Sequence, residues 1–327
     1  MTAAYVTRLG PAAEIRVGSL PVPQPGAVEV LVRAEAMAVN HVDTYVRSGA
    51  YRTSTPFPFV VGRDLVGTVV GLGSADVGFG PGDRVWCNSL GYGGRQGSFG
   101  QYAVVPTDRL YPLPDGADPR DAVSVLHTAA TAQLGLFREA GLRSGEVVVI
   151  GGAGGGVGSA AVQLAAASNA RVIATSSAQD ASWCRRCGTD VVLDFTDPQQ
   201  CRRIIKREAR GVDMYWDTSG HQDLAETLSL LNSGGRVVVS AGLSSWTTLA
   251  IGELYTRDAS VHGFAISNAS VADLAGAASL INALLGRREL RTRIALTLPL
   301  AEAARAHRLQ ESGAHRPGRI VVRPEMT

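Results

Sequence analysis

Val147-Val-Val-Ile-Gly-Gly-Ala-Gly-Gly-Gly-Val-Gly158 is a β-branched run that passes directly into glycines, and Ser159-Ala-Ala-Val-Gln-Leu-Ala165 follows it. Apolar residues at Val157, Ala160, Ala161, Leu164 and Ala165 recur at helical spacing, so the stretch predicts strand, tight turn and helix. That succession opens a dinucleotide-binding unit. Glycine is demanded because a side chain here would hold a pyrophosphate away from the backbone N–H groups of the helix N-terminus, where the helix dipole favours an anion. Read as G-x-G-x-x-G, the fingerprint falls on Ala153, Gly155 and Gly158, with alanine in the first position. Gly155, Gly156, Val157 and Gly158 are the candidate cofactor-binding residues of this turn. The competing reading is an ordinary glycine-rich turn between a buried strand and a helix.

Downstream of this stretch, strand-like and helix-like patterns alternate. Arg171-Val-Ile-Ala174, Asp190-Val-Val-Leu193, Val212-Asp-Met-Tyr-Trp-Asp217, Gly235-Arg-Val-Val-Val-Ser240 and Ser260-Val-His-Gly-Phe264 bring the strands to six. Helical segments separate them, and a further helix over 122–141 precedes the first strand. Such alternation predicts an α/β fold with a doubly wound parallel sheet. Upstream, residues 1–120 read as strands, turns and long loops, with Ala27-Val-Glu-Val-Leu-Val-Arg33 alternating at strand period. The C-terminal part has a helix over 271–285, a strand near Ile294, a helix over 301–312 and a last strand Gly318-Arg-Ile-Val-Val322. The expected division is 1–120 for a first, mainly β domain, 121–266 for the nucleotide domain, and 267–327 returning to the first.

Composition narrows the function classes. The chain has 327 residues, 45% of them hydrophobic and 18% charged, enough for a large core in more than one domain. A net charge of +2 with no basic block gives no footprint for nucleic acid. Lys206 is the single lysine, and arginine carries the rest of the positive charge. No apolar run reaches membrane-spanning length and the N-terminus lacks a leader pattern, so a cytoplasmic protein is expected. Cys184 and Cys187 form an isolated C-x-x-C, half of a zinc site at most, and are read as neighbours on one helix.

Several ordered motifs resemble the medium-chain dehydrogenase/reductase superfamily, and within it the quinone oxidoreductase (zeta-crystallin-like) branch. Asn40, Asp43, Arg47, Gly49 and Tyr51 match the branch signature N-x-x-D-x-x-x-R-x-G-x-Y. Val61-Gly-Arg-Asp-Leu-Val-Gly67, Pro81-Gly-Asp-Arg-Val85 and the glycines 152–158 resemble further family motifs. The resemblance implies a GroES-like catalytic domain and a Rossmann-type domain with a six-stranded sheet. It also implies a nicotinamide cofactor at the cleft between domains, and a homodimer. Zinc-dependent members place a cysteine where this chain has Asn40, a histidine where it has Arg63 and a cysteine near His127. They also carry a four-cysteine lobe that is missing here. A catalytic zinc needs three protein ligands, so no metal is expected and His127 is read as a pocket or core histidine. Without a Lewis acid, hydride must go to a quinone or a conjugated enone, where the charge spreads to an oxygen that hydrogen-bond donors stabilise.

On this resemblance Tyr51 and Asn40 are the candidate catalytic residues, lying beside nicotinamide or acceptor. Tyr51 could equally be a loop tyrosine packed against the next turn. Asp43 and Arg47 are expected to pair with each other on one helical turn. Thr131 matches a family threonine near the nicotinamide, or bonds back to its own helix. Ser176 and Ser177 end the second strand of the nucleotide fold where an NAD enzyme carries an acid, which favours NADPH. Arg185 and Arg186 are possible charge partners for its 2′-phosphate. Against this, many relatives carry a lysine near Asp180 and a tyrosine where Phe195 stands. Gly242 and Phe264, after later strands, complete the candidate cofactor-binding set, with loop packing as their plain alternative. Asp217 is explained by a turn. The function implied is an NADPH-dependent quinone or enone reductase. An enoyl reductase of a biosynthetic pathway, for example polyketide assembly, and a non-enzymatic NADPH-binding protein are the alternatives.

Overall fold

A computed structural model describes residues 1–74, 78–208 and 211–324. The chain forms two compact units, one of Met1–His127 with Ser270–Thr327 and the other of Thr128–Ala269.

The first unit is built on strands β1 (Thr2–Val6), β2 (Arg16–Ser19), β3 (Glu29–Ala38), β4 (Phe59–Val60), β5 (Asp64–Leu72), β6 (Arg84–Cys87), β7 (Tyr102–Pro106) and β8 (Tyr111–Pro112). Helix α1 (His41–Ser48) follows β3, and α2 (Pro119–Gln133) runs across the boundary between the units. β3 alternates half-buried and buried residues over most of its length, as the strand-period pattern of 27–33 predicts.

The second unit continues with β9 (Val147–Gly151), α3 (Gly156–Ala167), β10 (Arg171–Ser176), α4 (Ala181–Arg186), β11 (Val191–Asp194), α5 (Pro198–Glu208), β12 (Val212–Asp217), α6 (Leu224–Leu230), β13 (Leu231–Val239), α7 (Ile251–Thr256) and β14 (Ser260–Gly263). Its six strands lie in the order β11-β10-β9-β12-β13-β14, every neighbouring pair parallel. The order reverses between β10 and β12, on either side of the strand that feeds the glycine turn. Ligands bind at such a switch point in open α/β sheets. On one face of the sheet Val149, Ile173, Leu228 and Val237 belong to one buried cluster.

The chain then returns to the first unit through α8 (Val271–Gly286), β15 (Ile294–Pro299), α9 (Ala303–Ser312) and β16 (Arg319–Arg323). β15 and β16 join the sheet β15-β16-β3-β5-β6-β8, with β7 also paired to β3, while β2-β1-β4 form a separate small sheet. Ala3, Val30, Val32, Leu65, Phe99, Ile320 and Val322 share one core cluster, so the two ends of the chain build the same interior.

One expected element changes character. The helix read over 122–141 begins at Pro119, and its α-helical part ends at Gln133. Leu134–Glu139 continue as a π-helical turn. The cause is packing: a Cβ on Gly135 would lie 2.4 Å from the Trp216 ring, so the backbone passes against the indole at the one residue that lacks a side chain. Among the described residues no helix is long and apolar enough to cross a membrane.

Candidate functional site

The glycine turn of the second unit is a backbone cradle. Gly152 has a φ of +68°, in the left-handed region. A Cβ on Gly158 would lie 2.3 Å from the Gly152 carbonyl oxygen, so α3 packs onto the turn backbone to backbone. Gly155 caps α3 in extended conformation and Gly156 is its first residue, which aims the unpaired N–H groups of the first turn at the space over Gly155. These residues fit a dinucleotide pyrophosphate: Gly155, Gly156, Val157 and Gly158 would offer it the helix N-terminus.

The other candidate residues of this unit play different parts. Ser176 is buried and its hydroxyl donates to the Ser177 carbonyl at 3.1 Å. The Ser177 hydroxyl donates to the Asp180 carboxylate at 3.2 Å. That carboxylate also presses on the cradle, since a Cβ on Gly154 would sit 2.4 Å from Asp180 Oδ2. An acid is therefore present beside the strand end, four residues after Ser176, where reading the strand-end position alone found none. Arg185 and Arg186 are exposed on α4, and Arg186 stacks on Trp183 at 5.7 Å. Gly242 has a φ of +86°, and a Cβ there would meet Ser245 Oγ at 2.8 Å, so a tight turn accounts for it. Phe264 packs on Trp216 at 6.0 Å with Arg138 over its ring at 5.7 Å. Thr131 is buried on α2. Asp217 accepts from the Ser219 N–H at 2.8 Å and the His221 N–H at 3.1 Å, which is the turn role read for it. Cys184 and Cys187 are buried along one helix and its cap.

The first unit gathers a different set. Asn40 caps α1 and is 2% exposed. Its Nδ2 donates to Asp64 Oδ2 at 2.9 Å, and its Oδ1 accepts from Arg319 Nη2. The amide thus ties the start of β5 to the start of β16, a scaffold duty beyond the cofactor contact expected of it. Arg319 also donates to the carbonyls of Val39 and Ser124, both at 3.2 Å. Asp43 accepts from the Asn40 N–H at 2.7 Å. The expected Asp43–Arg47 pairing is not what forms. Arg47, 1% exposed, pairs with Glu311 of α9 and leaves Asp43 to the helix cap, because tertiary packing of α1 on α9 turns the guanidinium away from its own helix.

Beside Asn40 and Asp64 lie Arg63 and His127, with Tyr51 and Tyr92 further out. Burial pushes the Asp64 carboxyl up to about 7, against the bond from Asn40 and the charges of Arg319 and Arg63. Burial and the neighbouring Asp64 charge raise Asp43 to about 7 as well. Burial holds His127 well below the usual histidine range, aided by Arg63 and Arg319, so its ring is neutral. Tyr51 and Tyr92 stack with centroids 5.6 Å apart and planes at 24°, and Arg63 lies over the Tyr92 ring at 5.5 Å. Tyr51 therefore packs not on the next turn but on a loop tyrosine 41 positions away (92 − 51), and the same contact places it near a buried cation. Reading the sequence missed Asp64, Arg319 and Asn88 as members of this cluster. Among the described residues no three His, Cys, Asp or Glu side chains come together to hold a metal ion. The amide, guanidinium and single imidazole at Asn40, Arg63 and His127 do not fit a zinc ligand set.

Comparison with known proteins agrees with this architecture. The profile of the Alcohol dehydrogenase GroES-like domain matches residues 26–115, and that of the Zinc-binding dehydrogenase matches 156–283. The chain is 30% identical over 305 residues to the quinone oxidoreductase of Mus musculus, covering 92% of this chain and 91% of the relative. Among solved structures, an NAD-dependent alcohol dehydrogenase superposes with a TM-score of 0.89 at 31% identity, covering 99% of both chains. A mycobacterial protein solved in complex with NADPH superposes with a TM-score of 0.86 at 27% identity, covering 99% of this chain and all of that one. The glycine cradle at a switch point, the GroES-like sheet closed by the C-terminal strands and these matches along the chain lead to one conclusion: the protein is an oxidoreductase belonging to the quinone oxidoreductase branch of the medium-chain dehydrogenase/reductase superfamily.

Proposed function

We propose that the protein reduces a quinone or a conjugated enone with hydride from a nicotinamide dinucleotide, without a metal ion. The observation that carries this reading is the cluster of the first unit, where Asn40, Arg63 and His127 surround Asp64 and offer no metal ligand set. A simple alcohol or ketone needs a Lewis acid, whereas a conjugated acceptor delivers the incoming charge to an oxygen that N–H and O–H donors stabilise.

The chain's own residues divide the work. Gly155 to Gly158 bind the pyrophosphate, and the bound coenzyme supplies the hydride. Asn40 holds Asp64 and Arg319 in place beside the acceptor, and the Tyr51 phenol donates a hydrogen bond to the acceptor or the nicotinamide side. Water provides the final proton. Ser176 and Ser177 put no carboxylate at the strand end against the 2′-phosphate of NADPH, and the Asp180 carboxylate opposes it. Both coenzymes are therefore oxidised, and residue 180 sets their ratio.

The deciding experiment follows dihydronicotinamide oxidation by the purified protein with a small quinone, a bulky polycyclic quinone and an activated enoyl thioester, each with and without chelator. Turnover of quinones that survives chelation is the expected result. Turnover of the thioester alone selects a biosynthetic enoyl reductase instead. Loss of activity with chelator overturns the metal-free chemistry. Coenzyme binding with no turnover of any acceptor would identify a coenzyme-binding protein.

A further inference from the structure

Arg63 is the unusual cation of this molecule. It precedes β5 and is 2% exposed. Its Nε–H donates to the Asn88 carbonyl at 3.0 Å, and its guanidinium lies over the Tyr92 ring. Among the described residues no carboxylate stands within ion-pair distance of it, and its Nη1 and Nη2 groups make no hydrogen bond to the chain. Arg47, by contrast, has the Glu311 carboxylate although its Nε and Nη1 stay unpartnered, Arg236 has Glu146, and Arg319 has Asn40 and two carbonyls. Asp43 and Asp64 support the Arg63 charge from a distance, while burial works against it.

Burying a cation without a direct partner is costly, and the cost is met where a partner arrives from outside. The geometry states which kind. A guanidinium held by Nε and by an aromatic face presents its two Nη groups as a flat fork, which suits an oxygen carrying negative charge. Neutral carbonyl oxygen binds to such a fork and binds more tightly as it becomes an anion. Tyr51 stacks on Tyr92, the ring that underlies the guanidinium, and brings a phenolic donor to the same aromatic pair. Asn88, which fixes Nε, is itself 2% exposed, so the fork is rigidly mounted.

We propose that Arg63 is the oxyanion-binding residue of the acceptor site, its Nη1 and Nη2 groups receiving the carbonyl oxygen that becomes negative on hydride addition. This rests on the reductase reading above. For an enone, the dihydronicotinamide C–H bond breaks with both electrons and a C–H bond forms at the β-carbon. The π pair moves to the carbonyl oxygen, giving an enolate, and a proton from water completes the saturated ketone. For a quinone, the same two electrons and proton leave the charge on a quinone oxygen, and a water proton completes the hydroquinone. In both, the nicotinamide is oxidised and the acceptor reduced. The acceptor class is thus fixed as compounds with a carbonyl oxygen conjugated to the carbon that takes hydride.

The test uses the full chain and a probe that cannot be reduced by hydride, 4-nitrophenol, whose phenolate mimics the oxyanion and absorbs in the visible. Wild-type protein is expected to bind the phenolate and lower the apparent pKa of the bound probe by about one unit, a tenfold preference for the anion. Arg63→Gln removes that shift and lowers kcat for quinone and enone by about 100-fold or more, the loss typical of a missing oxyanion donor. Its coenzyme affinity, read by nucleotide fluorescence, stays within about twofold of wild type. Arg63→Lys keeps a point charge without the fork and falls between the two. A wild-type protein that binds only the neutral phenol overturns the proposal, as does a folded Arg63→Gln variant whose kcat drops less than threefold. Should Arg63→Gln fail to fold by circular dichroism, an unchanged kcat in Arg63→Lys has the same force. Because the probe is read without coenzyme, phenolate binding with no turnover of any acceptor would refute the reductase reading alone. Turnover without phenolate binding would refute only the role of Arg63.

Discussion

At the scale of single residues, charge placement decides chemistry, and Asp180 is the sharpest case. Its carboxylate touches the glycine cradle and takes the Ser177 hydroxyl, so a 2′-phosphate placed near Ser176 would meet a negative charge. At a few ångströms and an effective dielectric constant near 20, one such repulsion is worth roughly 1–4 kcal/mol. Replacing the charge by Asp180→Asn is expected to raise the NADPH-over-NADH preference about tenfold, and Asp180→Lys further. Dissociation constants for the two coenzymes, measured by fluorescence titration, check this, and an unchanged ratio would show that the ribose lies elsewhere. Asp180 was visible in the sequence, but its approach to Gly154 was not, because it depends on the short helical turn over 178–180 that folds the carboxylate back onto the loop.

At the scale of elements, two junctions carry the nucleotide unit. The first is the contact of α3 with the turn that feeds it. Gly158→Ala would drive a methyl into the Gly152 carbonyl and the Ala153 Cα, both backbone atoms that cannot step aside. The expected result is a folded but weakened protein, less stable by about 2–4 kcal/mol, with coenzyme binding reduced at least tenfold. Urea unfolding and coenzyme titration of the same variant report the two effects. The second junction is Arg236 on β13, which donates to both Glu146 oxygens at 3.0 and 2.7 Å and to the Ala140 and Asp213 carbonyls at 2.7 and 3.0 Å. It clamps the π-helical turn's end to the sheet. Glu146→Ala leaves this largely buried guanidinium short of its anion and is expected to cost about 2–4 kcal/mol, measured as a shift in the urea midpoint with the slope unchanged. Periodicity foretold the strands and helices on both sides of these junctions. The π-helical turn escaped it, because Gly135 is required by Trp216, 81 positions away in sequence (216 − 135).

At the scale of the whole molecule, titration of buried groups shapes stability against pH. His307 is fully buried in the first unit, edge-on to Phe99 at 5.8 Å, and neither ring nitrogen has a hydrogen-bond partner among the described residues. Burial, with the Arg47 charge second, pushes it down to about 3. Between pH 6.5 and 3 the unfolded chain therefore binds a proton that the folded chain refuses, and stability falls as pH falls through that window by about 1.4 kcal/mol per unit. Asp43 and Asp64 act in the opposite sense. Raised to about 7, they take up protons in the folded state first, so their contribution grows as pH falls from about 7 to 4. Comparing wild type with His307→Leu isolates the histidine. The variant is expected to gain about 1 kcal/mol at pH 7 by removing two unsatisfied nitrogens, and its advantage should widen steadily from pH 6.5 to 4 in thermal melts. A constant difference across that range would mean that the ring is charged in the folded protein.

What the sequence determined on its own was the order of things along the chain. A β-branched run into glycines, then strands and helices in alternation, leaves one economical arrangement, a parallel sheet with a phosphate-sized gap at a helix start, because period and glycine placement act locally. The strand–helix pattern of 267–327 and the resemblance implied a return to the first domain, and the compact unit holding the first 127 residues takes in Ser270–Thr327. The tertiary structure alone decided partners. Arg47 finds Glu311 across 264 positions and Arg319 finds Asn40 across 279, distances over which no local pattern carries information. Those choices follow from the register of β16 on β3 and the packing of α1 on α9, and among the described residues they leave Arg63 buried without an ion-pair partner. A side chain's chemistry is written in the sequence, but whether that chemistry is already spent depends on which distant groups the fold brings to it.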